Sequence, residues 1–195
     1  MTAQLIFATN NQNKVAEVRS VLGSLFEVIS LKEAGIDVDI PEPYDTLEEN
    51  AATKSSTIFN LTGNNCFSED TGLFVDALNG APGVKSARYA GEAANNKDNI
   101  EKLLLNLNKS ENRTARFRTI ISLILNGQEH TFEGICEGVI LYGQRGEKGF
   151  GYDAVFVPNG SEKSFAEMDT AEKNLYSHRK KAMAKLIAFL SEKQD

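Results

Sequence analysis

Surplus positive charge, a cysteine framework and a long apolar run are all missing from this 195-residue chain, and each absence removes a class of function. Lys and Arg number 21 against 27 Asp and Glu, a formal net charge of −6. Broad nucleic-acid surfaces carry excess Lys and Arg, so none is expected here, and an anionic ligand would need a local basic pocket. Cys66 and Cys136 lack metal-ligand spacing and are too few for a disulfide network, which reads as buried thiols of a reducing compartment. No apolar stretch approaches the roughly 20 residues that cross a membrane, and the short run near the start lacks a signal peptide's charged leader and small-residue cleavage pattern. The expectation is a cytoplasmic protein with no nucleic-acid and no membrane partner. The chain also has no GxxxxGK or GxGxxG loop, internal repeat, low-complexity segment or long linker.

What is present is enough apolar residue, 41%, to bury one sizeable core or a large lobe with a smaller one. Residues 5–8 form a short buried strand. Val15, Val18, Leu22 and then Leu25 or Phe26 recur at helical spacing. Thr46 followed by Glu49 is a capping-box signature opening a helix over residues 46–61. Residues 66–68 read as a short strand ending at Glu69 and Asp70, residues 80–83 as a loop, and residues 97–107 as a helix with Ile100, Leu103, Leu104 and Leu107 on one face. Strands 114–125 and 130–141 flank Asn126-Gly127, the clearest hairpin signal in the chain. Arg116 and Arg118 share one strand face, which suits an anionic site or, more simply, a solvated outer face. A final helix covers residues 177–192. The pattern is that of an α/β protein whose middle hairpin can build a second lobe.

Between the first strand and helix lies TNNQNK, residues 9–14. A turn that ends at a helix start gathers free amides and the positive end of the helix dipole, and Lys14 adds a mobile cation. An ordinary N-cap followed by a solvated lysine fits the same letters. Several carboxylates fall at element ends: Glu42 before Pro43, and Glu69 with Asp70 before Thr71 and Gly72. Paired carboxylates near phosphate suit Mg²⁺, a hard ion preferring oxygen ligands, and would support attack of water on a phosphoryl group. Solvated acids are the plainer alternative. Gly149, Phe150, Gly151, Tyr152 and Asp153 combine flexible backbone, two rings and a carboxylate, which can stack a flat base and bind its edge or can simply be a core aromatic turn. Ser177 is a candidate N-cap for the last helix, followed by His178 and Arg179.

Four separated motifs occur in order: ATNNQNK (8–14), SEDTGL (68–73), GFGYDAVFVP (149–158) and AEKNLYSHR (171–179), joined by ENA (49–51) and by PG (82–83) with SARY (86–89). The ordered set spans nearly the whole chain and resembles the inosine triphosphate pyrophosphatase family, the non-canonical purine nucleoside triphosphate pyrophosphatases. That resemblance implies a single pyrophosphatase domain over residues 1–195, built on an elongated mixed central sheet flanked by helices, with two lobes and an intervening nucleotide cleft. It implies hydrolysis of ITP, dITP and XTP at the α-β linkage, and a homodimer.

By match to the motifs, Thr9, Asn11 and Lys14 would bind phosphate. Glu42, Glu69 and Asp70 would serve Mg²⁺, with Asp70 activating water and Lys14 assisting catalysis. Phe150, Tyr152 and Asp153 would surround the purine, Lys173, His178 and Arg179 would complete base and phosphate recognition, and Arg88 would lie on the phosphate side. Glu69 stands where many relatives have aspartate, Lys85 where bacterial relatives often have tyrosine, and Ala154 where proline is common. Two alternatives stay open: a Maf-like pyrophosphatase acting on pyrimidine nucleotides, and a non-catalytic nucleotide sensor.

Overall fold

Side chains alternate across a strand, so the apolar run 5–8 has to be covered on both faces. In the computed structural model, which describes residues 3–22, 26–93 and 95–192, β1 (Ala3–Phe7) does this. Leu5 and Phe7 join a core with Val15, Val18 and Leu22 of α1 (Gln12–Leu22) and Ala182, Met183, Leu186 and Leu190 of α5 (His178–Glu192). Ile6 and Ala8 turn the other way, into a core with Ile58 of α2 (Leu47–Thr62). Helices therefore cover both faces, as a strand buried on both sides requires.

β2 (Phe26–Ser30) runs parallel to β1, from Ala3 opposite Phe26 to Phe7 opposite Ser30. On its other side β1 runs parallel to β3 (Cys66–Val75), where Phe7 faces Phe67 and the two rings stack at 4.5 Å. β4 (Pro82–Gly83) pairs antiparallel with β3. β5 (Thr114–Leu125) and β6 (Gln128–Ile140) form a hairpin, and β7 (Phe156–Pro158) pairs antiparallel with β6. The strand order is β2-β1-β3-β5-β6-β7 with β4 on β3, a mixed sheet flanked by helices.

The chain forms two compact units: Met1–Asp70, Thr119–Gly134 and Arg179–Asp195 make the first, and Thr71–Arg118 with Ile135–His178 the second. The core of the second unit gathers Ile100, Leu103 and Leu107 from α3 (Asn96–Asn106) and its end with Leu73, Val75, Phe117, Phe156 and Phe165. Asn95 and Asp98 cap α3 reciprocally. Short α4 (Thr170–Lys173) follows an Asp169 cap.

The hairpin turn has φ of 52° at Asn126 and 80° at Gly127, the two positive values that a tight turn matching strand twist demands. Thr46 caps α2, accepting the Glu49 amide at 3.2 Å and donating its own hydroxyl to the Glu49 carboxylate at 2.6 Å. Four expectations differ. Pro82 and Gly83 of the expected loop 80–83 pair with β3 as β4. The first helix stops at Leu22, Phe26 opens β2, and Leu25 lies outside the described residues. β6 spans Gln128–Ile140 in place of residues 130–141. β3 does not end at Glu69 and Asp70 but runs through Thr71 and Gly72 to Val75. A Cβ on Gly72 would stand 2.5 Å from the Gly83 oxygen, so the glycine marks close approach of β4, not a turn.

Two stability expectations arise. A Cβ on Gly138 would meet the Val157 oxygen at 2.2 Å, so Gly138→Ala should destabilise by about 2 kcal/mol and lower Tm by roughly 5 °C in a thermal melt. The Glu33 carboxylate accepts from Arg19 at 2.6 Å and from the Ser30 amide and hydroxyl at 2.7 and 2.8 Å. Led by the Arg19 hydrogen bond, these contacts lower its pKa from 4.5 to about 2. A depressed carboxylate contributes stability above its unfolded pKa and loses it as pH falls through the folded one. Glu33→Gln should therefore flatten the stability profile between pH 4.5 and about 2, read by urea unfolding across that window.

Candidate functional site

In the first unit, α2 builds the central acidic cluster. Leu47, Ala51 and Ile58 form its apolar stripe, and Lys54 lies on the same buried face, where an ammonium needs a partner. It has two: Nζ donates to Glu42 Oε1 at 2.5 Å and to Asp70 Oδ1 at 3.2 Å. The same helix places both carboxylates. Asn50 donates its amide N–H to the Tyr44 oxygen and accepts the Tyr44 N–H, each at 3.1 Å, pinning the segment beside Glu42. The Ala51 oxygen accepts the Ser68 hydroxyl at 2.6 Å, fixing β3 two residues before Asp70.

Burial works against the Lys54 charge, but Asp70 and Glu42 more than offset it and hold its pKa above the ordinary value. Burial raises the Asp70 pKa, Lys54 opposes the rise and Glu42 adds to it, with a net upward shift. The second Asp70 oxygen, Oδ2, is buried with no hydrogen-bond partner among the described residues. A buried acceptor left this way carries a desolvation cost that a ligand relieves.

Next to this cluster in sequence, Glu69 is held by Arg179. The guanidinium donates Nε to Oε2 at 2.6 Å and Nη2 to Oε1 at 2.7 Å, and its Nη1 pairs with Glu17 of α1. Lys14 Nζ approaches Glu69 Oε1 at 3.3 Å. Burial works against the Arg179 charge, and the two carboxylates reverse that effect and raise its pKa. Among the described residues no three His, Cys, Asp or Glu side chains come together as a metal centre. Of the three carboxylates expected to serve a metal, Glu42 and Asp70 share Lys54, whereas Glu69 is oriented by Arg179 and Lys14. Two carboxylates, one with a buried oxygen that lacks a hydrogen-bond partner among the described residues, fit Mg²⁺, which commonly takes one or two protein carboxylates and completes its shell with water and substrate phosphate.

The turn before α1 is an N-cap. Asn11 Oδ1 accepts the amides of Asn13 at 3.0 Å and Lys14 at 3.2 Å, and Thr9 Oγ1 accepts the Asn11 amide at 3.1 Å. The capping alternative is thus the observed use of the Asn11 oxygen, and it presents the helix start with Lys14 one turn in.

The second unit holds the other cluster. Asp153 Oδ2 accepts the Phe150 amide at 2.9 Å and Lys173 Nζ at 2.8 Å. That ammonium lies 5.3 Å from the Phe150 ring centre and 5.2 Å from that of Phe165. Gly149 has φ of 76°, and a Cβ there would stand 2.1 Å from Asp153 Oδ2, so this glycine lets the carboxylate close over the turn. Tyr152 is core: it is buried, donates its hydroxyl to the Ser86 oxygen at 2.8 Å, and has its pKa pushed up by burial. The His178 ring stacks on Phe117 at 4.7 Å. Arg88 is half-buried in a 3₁₀ turn, 3.8 Å from Glu92. Arg116 pairs with Asp76 at 2.9 Å, and Arg118 lies 5.5 Å over Phe74, the outer-face reading of that strand.

A model of the Ham1 family matches residues 5–189. The chain belongs to the Ham1 family. Among curated relatives, the dITP/XTP pyrophosphatase of Christiangramia forsetii is 50% identical over 189 residues, covering 97% of this chain and all of the relative. That of Porphyromonas gingivalis is 50% identical over 188 residues, covering 96% and 97%. The solved HAM1 protein of Coxiella burnetii superposes with a TM-score of 0.89 at 36% identity, covering 97% of this chain and 99% of that one. The motif resemblance and the Ham1 match agree.

For this Ham1 chain, reading the sequence missed Lys54 and Glu17 and named Asn50 only within the ENA motif. Lys54 had a signal: a lysine inside the apolar stripe of a helix implies a buried counter-charge. Glu17 had none, since its partner Arg179 is 162 residues away. Arg179→Met should destabilise by about 3 kcal/mol by taking the guanidinium from the buried Glu69 carboxylate, and adding Glu69→Leu should recover most of that loss in urea unfolding. Equal losses in the single and double variants would sink the pairing as the source.

Proposed function

We propose that this chain is a Mg²⁺-dependent nucleoside triphosphate pyrophosphatase that hydrolyses ITP, dITP and XTP to the monophosphate and pyrophosphate. Membership of a hydrolase family supports enzymatic activity, and the relatives' names support the substrate class. The observation that carries the mechanism is Asp70: one oxygen is tied to Lys54, and the other is buried with no hydrogen-bond partner among the described residues.

In this reading Asp70 accepts a proton from water as the water oxygen attacks the α-phosphorus. The bond from that phosphorus to the bridging oxygen breaks, and the oxygen departs with pyrophosphate. The raised Asp70 pKa strengthens it as a base. Glu42 and Asp70 would hold Mg²⁺, whose charge would neutralise the phosphate oxygens. Thr9, Asn11 and Lys14 bind phosphate through the helix start and the ammonium. Glu69 and Arg179 act through Lys14, keeping its ammonium placed, and Arg88 supplies a further phosphate contact.

Base recognition falls to Phe150, Asp153 and Lys173, with His178 adding a ring and Tyr152 supporting the turn from the core. Lys173 offers a donor and Asp153 an acceptor, which complements the 6-oxygen and N1–H of hypoxanthine and xanthine. Adenine presents the reverse pair. A mismatch that leaves one buried polar group unsatisfied costs roughly 1–3 kcal/mol, so several groups must act together. Guanine shares the favoured edge and has to be rejected at its 2-amino group. The homodimer, the cytoplasmic compartment and the absence of nucleic-acid and membrane partners belong to the same proposal. Among the described residues no helix is long and apolar enough to cross a membrane.

The test is pyrophosphate release from ITP, dITP, XTP, GTP, ATP and pyrimidine triphosphates, with and without Mg²⁺. Selective, Mg²⁺-dependent release from the first three is expected. Preferential pyrimidine cleavage, or binding without release, overturns the proposal in favour of a Maf-like enzyme or a sensor. Asp70→Asn should lower kcat by about 10²–10⁴-fold while nucleotide still binds, the loss typical of a removed general base. Full turnover would remove Asp70 from its role.

A further inference from the structure

Lys54 occupies the position between the two carboxylates that best suit a cation. Its Nζ is 2.5 Å from Glu42 Oε1 and 3.2 Å from Asp70 Oδ1, and the residue is 7% exposed. An ammonium is a compact point charge on a flexible stem, with donors but no acceptor. It supplies the charge compensation that a buried carboxylate pair needs, in a form the protein always carries. We propose that Lys54 is a tethered counter-cation that competes with the divalent ion for Glu42 and Asp70 and withdraws when the ion binds. This inference rests on the metal role given to those two residues above.

The electrostatics fix the direction. Two carboxylates and one ammonium leave a single net negative charge, a poor field for a divalent ion. A divalent ion on the same oxygens would meet the ammonium at contact distance, and like charges so close in a buried site repel strongly. The ammonium has to leave for the ion to be held well. A triphosphate gives the displaced ammonium new acceptors, so anionic nucleotide and metal favour each other. Such coupling is reciprocal for binding free energies. Without nucleotide, Lys54 offsets half of the cluster's charge and weakens metal capture. The Asp70 Oδ2 atom, buried and without a hydrogen-bond partner among the described residues, is the oxygen of that carboxylate that the ammonium does not hold.

The test is Mn²⁺ binding to the nucleotide-free chain, followed by electron paramagnetic resonance, for wild type, Lys54→Met and Lys54→Arg. Lys54→Met should bind Mn²⁺ about tenfold tighter, the scale expected for removing one like charge at contact distance, while Lys54→Arg stays near wild type. Equal affinity in wild type and Lys54→Met, or weaker binding in the latter, overturns the inference. If Lys54→Met does not fold, the wild type decides the question. Its Lys54 Cε resonance should shift during Mg²⁺ titration with the midpoint of metal binding, and a resonance that stays fixed while metal binds overturns the competition. Absence of metal binding in every variant, even with a non-hydrolysable ITP analogue, overturns the metal role of Glu42 and Asp70 and this inference with it. Metal binding that ignores Lys54 removes only the inference.

Discussion

Charge taken out of water must be answered at hydrogen-bonding distance, and that constraint organises both units. In the first, Glu69 and Arg179 are each nearly inaccessible and meet through two parallel hydrogen bonds. The pair ties β3 to the first turn of α5, and Glu17 extends the tie to α1. The planar fork of arginine makes this possible, since it serves both oxygens of Glu69 and still reaches a second carboxylate. In the second unit Asp153 and Lys173 meet the same requirement at 2.8 Å, with a backbone amide completing the carboxylate. Both clusters assigned to chemistry therefore also fix the placement of the elements that carry them.

A single helix does most of the positioning in the acidic cluster. Asn50 imitates a backbone peptide, giving and accepting one hydrogen bond with Tyr44, so the extended segment holding Glu42 is docked without a strand. Ala51 offers only its carbonyl to Ser68, and its small side chain lets β3 approach. Lys54 then reaches between the two delivered carboxylates. Three successive inward positions of α2 thus fix one segment, fix the other and bridge them.

Local periodicity made the regular elements legible. The hairpin was readable because Asn-Gly sits between two β-rich runs, and β5 matches residues 114–125. The helix at 46–61 and that at 97–107 were readable from caps and apolar spacing, and both lie within a residue of α2 and α3. β3 was not. Glu69, Asp70 and Gly72 look like a turn because acidic residues and glycine are poor strand formers, and the neighbours that make them a strand, β1, β4 and β5, are distant in sequence. The motif set pointed to Asp70, Lys14 and Asp153. It could not assign Arg179 to Glu69 or separate core Tyr152 from half-buried Phe150, because those distinctions depend on which atoms face each other.

Ionic strength divides these charges into two classes. The contacts of Glu69 with Arg179 are shielded from mobile ions, since counter-ions screen only charges they can approach. Lys14 is partly open, with 18% of its side chain exposed, and belongs to the population that salt can reach. The internal arrangement of the carboxylates is therefore set once, at folding, and holds through changes in cellular salt. What salt can modulate is the partly exposed Lys14 charge at the start of α1.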